Sequence, residues 1–519
     1  MALASGVVDT GWGERGFVQE SPGEALWAPV ALVPGAGGRL DALVTTRFLG
    51  GGWSLLGTGP NGNAQPHFVN GLRSGEPGAA VRLADRRIVT TANRGASNVA
   101  AGSGFGLAAF RADGQPDGSF GSGGVALVPP LDVAGQATSV AATPAGLLAA
   151  GRTARFGDIA VARFSLAGGA DTSFGPGGVR TVRVPGYQAL GPVSVTALPG
   201  GRIAVAGTVR RGSAGPQRIA VATLRASGAR AGAVVLARLD PGARASAVCG
   251  AAASRGRLLL VGSLARSSGG PGCPQDVSGR LRLARLRADG TPDRAFNATG
   301  YASVSFGAPF AGALNQGSRL GRAALPVYVR GDGRITVGGA LADGGAFAVA
   351  RLLASGKPDR SLGGAGRTCL APPRLSEQPV GAGALVLAPG PAGTTYAATA
   401  RDVVGDDSVI TLARLRASSR QAMPCAALRV GVGAKVSGLL TVPARLSVRV
   451  QRVDLGDQTV ANVGTASLGA RPAGPFRLTW DLTVKGRPIH YGTYRFTILA
   501  RPAGSRRPDA GPPQDIQVF

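Results

Sequence analysis

Few side chains in this sequence could carry acid–base or nucleophilic chemistry. Histidine occurs twice, as His67 and His490, which are far apart and lack neighbours at metal-ligand spacing. Five glutamates occur, and four of them precede residue 77. No Gly-x-Ser-x-Gly segment lies between a strand and a helix, as the nucleophile of a serine hydrolase would. The sequence therefore favours a protein that is not an enzyme, and it predicts no cofactor or metal.

A short motif containing aspartate and phenylalanine recurs along the chain. It reads DGQPDGSFGSGG at 113–124 and DTSFGPGG at 171–178, with copies at 9–17, 293–301 and 359–367. A catalytic loop is normally unique, whereas a loop that recurs at a fixed period marks a structural repeat. The recurrence therefore indicates architecture.

The aspartates of this motif recur together with arginines on a preceding strand. The aspartates are Asp117, Asp171, Asp293 and Asp359, and the arginines are Arg163, Arg285, Arg351 and Arg414. Alternation along a strand places each arginine on a partly buried face, where a guanidinium requires a carboxylate. We therefore expect repeated Arg–Asp pairs. The alternative is a calcium site, for which the closest candidate is the cluster Asp402, Asp406 and Asp407.

Each motif also carries one large apolar side chain. These are Phe120, Phe174 and Phe296, with Trp12 and Leu362 in register. One apolar residue per repeat most simply packs between neighbouring repeats. The functional alternative is a ring of aromatic side chains that stack on sugars.

Two further patterns share the period of the motif. A strand ending in Ala-Arg-Leu or Ala-Arg-Phe occurs at 159–164, 281–286, 347–352 and 410–415, with weaker copies that bring the total to seven. A hairpin with a glycine-rich turn, such as ALPGGRIAVAGT at 197–208, also occurs seven times. Each period of about 60 residues thus contains four short strands, which is typical of a β-propeller blade.

The phase of the repeats predicts how the propeller closes. The chain begins with a motif and a fourth strand at 16–19, and its last period stops after a third strand at 410–416. Pairing the spare first strand with the last three would remove the exposed sheet edges. We predict an all-β fold: a stub at 1–8, a seven-bladed propeller at 9–425 closed by the N-terminal strand, and a small Ig-like β-sandwich at 426–519. The last segment is predicted from alternating strands such as PFRLTWDLTV at 475–484.

The charge of the chain is strongly positive, with a formal net charge of +28. Only three of the 56 basic residues are lysines, and the arginines are scattered without interleaved aromatic residues. Such scattering argues against a nucleic-acid groove, which combines clustered basic and aromatic side chains. Affinity for anionic wall polymers is compatible with this charge.

The cysteines and the chain start bear on the compartment. Cys249, Cys273, Cys369 and Cys425 have no Cys-x-x-Cys spacing, so we expect either two disulfides, Cys249–Cys273 and Cys369–Cys425, or four buried thiols. No uninterrupted apolar stretch of about 18 residues occurs, so we expect no membrane span. The start MALASGVVDTGWGERG does not resemble a leader, so secretion would require a leader removed or encoded upstream.

The repeat unit resembles that of the bacterial delta-60 repeat family. AVARFSLAGGADTSFGPGG at 160–178 and LPGGRIAVAG at 198–207 carry the resemblance, and LRLARLRADGTPDRAF at 281–296 is a second good copy. The resemblance covers roughly 9–425, departs at 64–72 and 227–235, and implies a propeller-like protein of the exterior or the cell envelope. It implies no general catalytic residues.

The function expected from these observations is binding or scaffolding outside the cytoplasm, with an unknown ligand. A cell-wall glycan or another surface protein is the expected partner, and nucleic acid is not. The alternative is a glycosidase-like propeller hydrolase that uses paired aspartates at the mouth of the central channel.

Overall fold

The computed structural model describes most of the chain as short β-strands. The described residues are 8–14, 16–20, 27–46, 53–67, 78–93, 105–128, 136–153, 157–213, 215–242, 245–264, 280–306, 325–340, 347–370, 381–402, 408–417, 421, 423, 425–431, 433–454, 459–511 and 514–518. Helix within these residues is limited to 3-10 turns at Ala36–Gly38, Pro176–Gly178, Pro199–Gly201 and Pro391–Gly393. The fold is all-β, as the glycine-interrupted apolar runs predict.

Four-stranded antiparallel sheets follow one another along the chain. The first three are formed by β2 (Trp27–Pro34), β3 (Leu40–Thr46), β4 (Trp53–Thr58) and β5 (Ala64–His67); by β6 (Ala80–Arg82), β7 (Ile88–Asn93), β8 (Phe105–Phe110) and β9 (Val125–Leu127); and by β10 (Gln136–Thr143), β11 (Gly146–Arg152), β12 (Ile159–Phe164) and β13 (Val179–Val182). The next three are formed by β14 (Gln188–Ala197), β15 (Ile203–Arg210), β16 (Gln217–Leu224) and β17 (Val235–Ala237); by β18 (Ala247–Ser254), β19 (Arg257–Ser263), β20 (Arg280–Leu286) and β21 (Tyr301–Ser305); and by β22 (Val327–Val329), β23 (Ile335–Ala340), β24 (Phe347–Leu352) and β25 (Arg367–Leu370).

A seventh sheet of the described residues combines the N-terminal strand with three strands from residues 381–415. It consists of β26 (Gly381–Pro389), β27 (Thr395–Asp402), β28 (Ser408–Leu415) and β1 (Phe17–Glu20), in that order. Phe17 lies opposite Ala413, and Glu20 lies opposite Ile410. The N-terminal strand therefore occupies the outer position that the fourth strand takes in the other sheets.

Hydrophobic clusters join each sheet to its neighbour. One cluster joins Leu40 and Val44 of β3 to Tyr396 of β27, so the sheet that contains the N-terminal strand packs on the first sheet. Further clusters join the other neighbouring sheets in chain order. Neighbouring sheets also meet through their first strands, as where Thr138 Oγ1 accepts a hydrogen bond from the Val193 N–H at 2.8 Å. This packing of successive four-stranded sheets is that of a β-propeller.

The glycine after the motif aromatic is required by a close backbone approach. Gly121 has a φ of 59°, and a Cβ there would lie 2.3 Å from the Val125 carbonyl oxygen. The equivalent Gly13 has a φ of 57°, and a Cβ there would lie 2.3 Å from the Phe17 carbonyl oxygen. Glycine adopts this conformation without steric cost, so Phe-Gly and Trp-Gly recur as pairs, and after Phe296 the residue Asn297 takes the position with a φ of 50°.

The C-terminal segment forms two further sheets around its own core. A three-stranded sheet contains β29 (Cys425–Gly431), β30 (Gly433–Leu440) and β33 (Gly474–Trp480), and a larger sheet contains β32 (Val460–Arg471), β31 (Ala444–Val453), β36 (Gly492–Pro502), β37 (Asp509–Ala510) and β38 (Gln514–Val518). The pair β34 (Thr483–Val484) and β35 (Arg487–Pro488) is separate. Trp480, Tyr494 and Phe496 belong to the core between the sheets. Strand β29 was not among the strands expected from the sequence, and it begins one residue before the expected boundary at 426.

Removal of the N-terminal strand tests how much the ring depends on it. A chain lacking residues 1–20 loses every pairing of β1 with β28 and the fully buried Trp12. We expect a loss of at least about 3 kcal/mol in the free energy of unfolding, as for removal of a buried tryptophan. We also expect association through the exposed edge of β28.

Thermal unfolding and size-exclusion chromatography measure the two effects. A chain lacking residues 1–7 is the control, because it retains Val8, Trp12 and β1. Equal melting temperatures and equal elution of the two shortened chains would contradict the prediction.

Candidate functional site

The recurrent motif folds back onto the third strand of its own sheet. The backbone N–H of Asp171 donates to the Arg163 carbonyl oxygen at 2.9 Å, and that of Asp293 donates to the Arg285 carbonyl oxygen at 2.8 Å. The aspartate side chain then caps the turn, as where the Ser173 hydroxyl donates to Asp171 Oδ1 at 2.6 Å. This Asx turn orients the second carboxylate oxygen toward the strand.

That second oxygen pairs with the arginine of the strand. The Arg Nε to Asp Oδ2 distance is 2.7 Å for Arg163–Asp171, 2.9 Å for Arg285–Asp293, 2.8 Å for Arg351–Asp359 and 2.8 Å for Arg414–Asp9. Arg163, Arg285 and Arg351 are buried, as are Asp293 and Asp359. The structure thus brings together the arginines and aspartates that recur in the sequence, with Asp9 as the partner of Arg414.

The aromatic residue of the motif lies beneath the paired guanidinium. The Arg Cζ to ring-centroid distance is 4.9 Å for Arg163 and Phe174, 4.8 Å for Arg285 and Phe296, and 5.7 Å for Arg414 and Trp12. Phe120, Phe174 and Phe296 are 0% exposed. Their rings therefore cannot stack on a sugar, and the alternative of an aromatic binding ring is wrong for these three residues.

Each guanidinium also reaches the neighbouring sheet. Arg285 Nη1 donates to the Ala354 carbonyl oxygen at 2.6 Å, and Arg414 Nη1 donates to the Pro60 carbonyl oxygen at 3.2 Å. Arg163 and Arg351 make the same contact with the carbonyl oxygens of Ala226 and Ala417. We call the arginine, its aspartate and its aromatic or leucine neighbour the Arg–Asp–aromatic unit. Each unit connects two adjacent sheets.

The second sheet departs from this pattern. Its strand carries Ala109 at the arginine position, and Asp117 instead pairs with Arg87, whose Nη1 lies 3.2 Å from Asp117 Oδ2. The equivalent hairpin arginine Arg334 lies 3.0 Å from Asp359 Oδ2. Both arginines directly follow the hairpin turn, in the Arg-Ile segment already recognised as a repeated pattern. The recurrence of an arginine after this turn is visible in the sequence. Its contact with the aspartate loop is not, because the two segments meet only in the folded sheet.

Three of the motif carboxylates, those of Asp117, Asp171 and Asp359, are held ionised. The Ser119 hydroxyl lowers the pKa of Asp117, aided by Arg87, and the Ser173 hydroxyl lowers the pKa of Asp171, aided by Arg163. For Asp359, burial raises the pKa, but the Ser361 hydroxyl and the Arg351 charge outweigh it, so the pKa is lowered. An aspartate with a lowered pKa is a poor proton donor near neutral pH, so these residues are unsuited to general acid catalysis.

Among the described residues, two carboxyl groups have a raised pKa. Burial raises the pKa of Asp158, against the opposing charge of Arg183, and burial raises the pKa of Glu20. Asp158 directly precedes β12 of the third sheet, whereas Glu20 ends β1 of the seventh, so they do not form a pair. No group of three His, Cys, Asp or Glu side chains among the described residues could hold a metal ion.

The remaining candidate residues are dispersed. His490 is exposed on the C-terminal segment, and His67 is the last residue of β5. Asp406 and Asp407 of the calcium-site alternative lie outside the described residues. Cys369 and Cys425 form a disulfide that joins β25 to β29. Cys249 is buried in β18, and its expected partner Cys273 lies outside the described residues.

No helix in the described ranges is long and apolar enough to cross a membrane.

Comparisons with known proteins support the propeller. A family model described as "Domain of unknown function (DUF5122) beta-propeller" matches residues 256–296 and 330–362. These segments contain the units built on Arg285–Asp293 and Arg351–Asp359. No curated protein matches the sequence.

Several solved structures have a distantly similar fold. The AfRom2 CNH domain has a TM-score of 0.37 and 9% identity over 76% of this chain and 98% of its own. A Trypanosoma rangeli sialidase in complex with sialic acid has a TM-score of 0.38 and 10% identity over 97% of this chain and 92% of its own. A putative 6-phosphogluconolactonase from Bacteroides uniformis has a TM-score of 0.34 and 12% identity over 74% of this chain and 96% of its own.

Substitution of a buried pair tests the structural role of the unit. Asp359→Ala leaves the buried Arg351 without the nearest carboxylate, so we expect a loss of about 3 kcal/mol in the free energy of unfolding. The control is Asp113→Ala, whose partner Arg111 is 3.4 Å away and as exposed as the aspartate. It should cost less than about 0.5 kcal/mol. Urea unfolding measures both, and similar costs for the two variants would contradict the assignment.

The lowered pKa values predict how stability depends on pH. A carboxylate whose pKa is lower in the folded state stabilises the fold above its unfolded pKa, and this contribution disappears as the pH falls through the folded value. Asp117 and Asp171 should therefore contribute fully at neutral pH and lose their contribution below the ordinary aspartate value of 3.8. The urea midpoint of the double variant Asp117→Asn, Asp171→Asn should fall less steeply below about pH 4 than that of the wild type. Parallel pH profiles would exclude these carboxylates as the source.

Proposed function

We propose that this chain is a non-catalytic binding or scaffold protein of the cell envelope or the extracellular space. The observation that carries the proposal is the engagement of the recurrent residues with one another. In the unit of Arg285, the guanidinium contacts the Asp293 carboxylate, the Phe296 ring and a carbonyl oxygen of the neighbouring sheet. These recurrent side chains therefore serve to hold neighbouring sheets together.

We propose that the support is a seven-bladed propeller of delta-60 repeats over 9–425, closed by its N-terminal strand and followed by an Ig-like sandwich at 426–519. Seven four-stranded sheets within the described residues support the blade count. Pairing of β1 with β28, and packing of the seventh sheet on the first, support the closure. The two sheets around Trp480 and Phe496 support the sandwich.

The absence of a suitable acid–base pair among the described carboxylates favours binding over hydrolysis. A glycosidase requires two carboxyl groups about 5–10 Å apart, one of them with a raised pKa. In the described part of the chain the recurrent aspartates are bound to arginine, and Asp158 and Glu20 lie on different sheets. The hydrolase with paired aspartates at the channel mouth is thus the weaker alternative.

The disulfide supports a location outside the cytoplasm. Disulfides persist in oxidising compartments, and Cys369–Cys425 joins a strand of the sixth sheet to the first strand of the C-terminal segment. In that location a cell-wall glycan or another surface protein is the expected partner. Cys249–Cys273 is proposed as a second bridge.

Co-sedimentation with insoluble bacterial cell walls tests this proposal. We expect the intact protein to sediment saturably with the walls and to release no reducing sugar from them, because the recurrent aspartates of the described residues are bound to arginine. Heat-denatured protein at equal concentration controls for nonspecific adsorption. Absence of saturable binding would contradict a role on wall glycan, and sustained release of reducing sugar would establish the hydrolase alternative.

A further inference from the structure

One face of the larger C-terminal sheet is basic. Along β31, Leu446 and Val448 point into the hydrophobic core. The alternate residues, Arg445, Ser447 and Arg449, therefore point away from it, since side chains alternate along a strand. This outward face continues onto β36, where Arg501 lies opposite Arg445.

The register places like charges side by side. Residues directly opposite in an antiparallel pair have Cβ atoms about 5 Å apart, and equal charges there destabilise the sheet. Arg445 and Arg501 nevertheless occupy such a position, and both are exposed. Arg449, half-buried, lies further along β31 by about 13 Å. We call Arg445, Arg449 and Arg501 the arginine face.

These arginines have no acidic partner in the described part of the chain. No carboxylate there forms an ion pair with Arg445, Arg449 or Arg501, in contrast to the arginines of the propeller units. Arg495 is left out of the arginine face because it lies opposite Asp515 in the register. An uncompensated arrangement of this kind costs stability unless an external anion neutralises it.

Polar and aromatic groups border the arginine face. Thr465 of β32 lies opposite Arg449, and Ser467 lies opposite Ser447, and both β32 residues are exposed. At the other end of the same face, Tyr491 is 66% exposed, and its hydroxyl accepts a hydrogen bond from Gln517 Nε2 at 3.2 Å. The surface therefore offers cations, hydroxyl groups and one accessible aromatic ring.

We propose that the arginine face binds an anionic polysaccharide, an inference that rests on the proposed binding function and names its ligand class and site. Guanidinium groups bind carboxylates in a bidentate manner. The hydroxyls of Thr465 and Ser467 are matched to sugar hydroxyls, and the Tyr491 ring offers an apolar surface with a polar edge. Single-stranded nucleic acid is less well matched, because it needs successive aromatic rings among the basic residues, and Tyr494 and Phe496 point into the core.

Binding of the full-length chain to polygalacturonate tests this proposal. The triple variant Arg445→Gln, Arg449→Gln, Arg501→Gln should bind immobilised polygalacturonate at least about tenfold more weakly than the wild type, with a shallower dependence on salt. Neutral dextran should bind neither protein. Tyr491→Ala should weaken binding to polygalacturonate but leave binding to inorganic polyphosphate unchanged, because only the sugar uses the ring.

The matched control carries the same change of charge elsewhere. Arg225, Arg230 and Arg287 are exposed on turns of the propeller, and their replacement by glutamine removes three positive charges. This control should bind polygalacturonate as the wild type does. The melting temperature of the arginine-face variant should equal or exceed that of the wild type, because the repulsion between Arg445 and Arg501 is removed.

Equal weakening in the two triple variants would overturn the arginine face as a site, since net charge alone would then explain binding. Tighter binding of a single-stranded oligonucleotide than of polygalacturonate would also overturn it. Binding to cell walls that the arginine-face variant retains in full would overturn this inference and leave the proposed function standing. If the wild type binds neither cell walls nor polygalacturonate, both this inference and the proposed function are overturned.

Discussion

The propeller depends on the burial of one guanidinium at the junction between neighbouring sheets. A buried arginine is costly unless its charge and its donors are satisfied. In the unit of Arg285, a carboxylate, an aromatic face and a carbonyl oxygen of the next sheet meet this requirement together. Because the last of these belongs to the neighbouring sheet, satisfying the charge also fixes how the two sheets pack.

This constraint concerns the junction rather than any single residue. Where the strand carries Thr223 instead of arginine, its hydroxyl donates to the Ala288 carbonyl oxygen of the next sheet at 2.9 Å, so the connection is kept without a charge. Where the strand carries Ala109, Arg87 of the hairpin pairs with Asp117 of the same sheet. In these two repeats a different polar contact therefore takes the place of the missing strand arginine.

The repeated residues and the residues of the proposed binding face are therefore different ones. Most of the repeated side chains are buried between sheets, and the carboxylates of Asp117, Asp171 and Asp359 are held ionised by arginine and serine neighbours. The arginines of the larger C-terminal sheet are unrepeated, lack acidic partners among the described residues and face outward. A cation paired within the fold stabilises it, whereas a cation left unpaired at the surface is available to an external anion.

The sequence by itself determined the propeller class, the order of strands within a repeat and the recurrence of a strand arginine with a loop aspartate, but not the partners of Asp117 and Arg414. It could do so because strand alternation and turn chemistry are local, and because recurrence repeats the same local signal. The pairing of Arg87 with Asp117, and of Arg334 with Asp359, was decided by the tertiary structure, since the hairpin turn and the aspartate loop meet only once the sheet has formed. Strand β29 was also missed, because its residues show no repeat and no clear alternation.

The arginine face was also determined in part by the sequence and in part by the tertiary structure. Alternation along β31 could be read from the sequence, but Arg445 and Arg501 are 56 positions apart, and their opposition is set by the register of two strands. Register depends on which side chains fill the core, here Leu446 and Val448 against Ile498 and Ala500. Local patterns thus determined which residues face outward, and long-range packing decided which charges became neighbours.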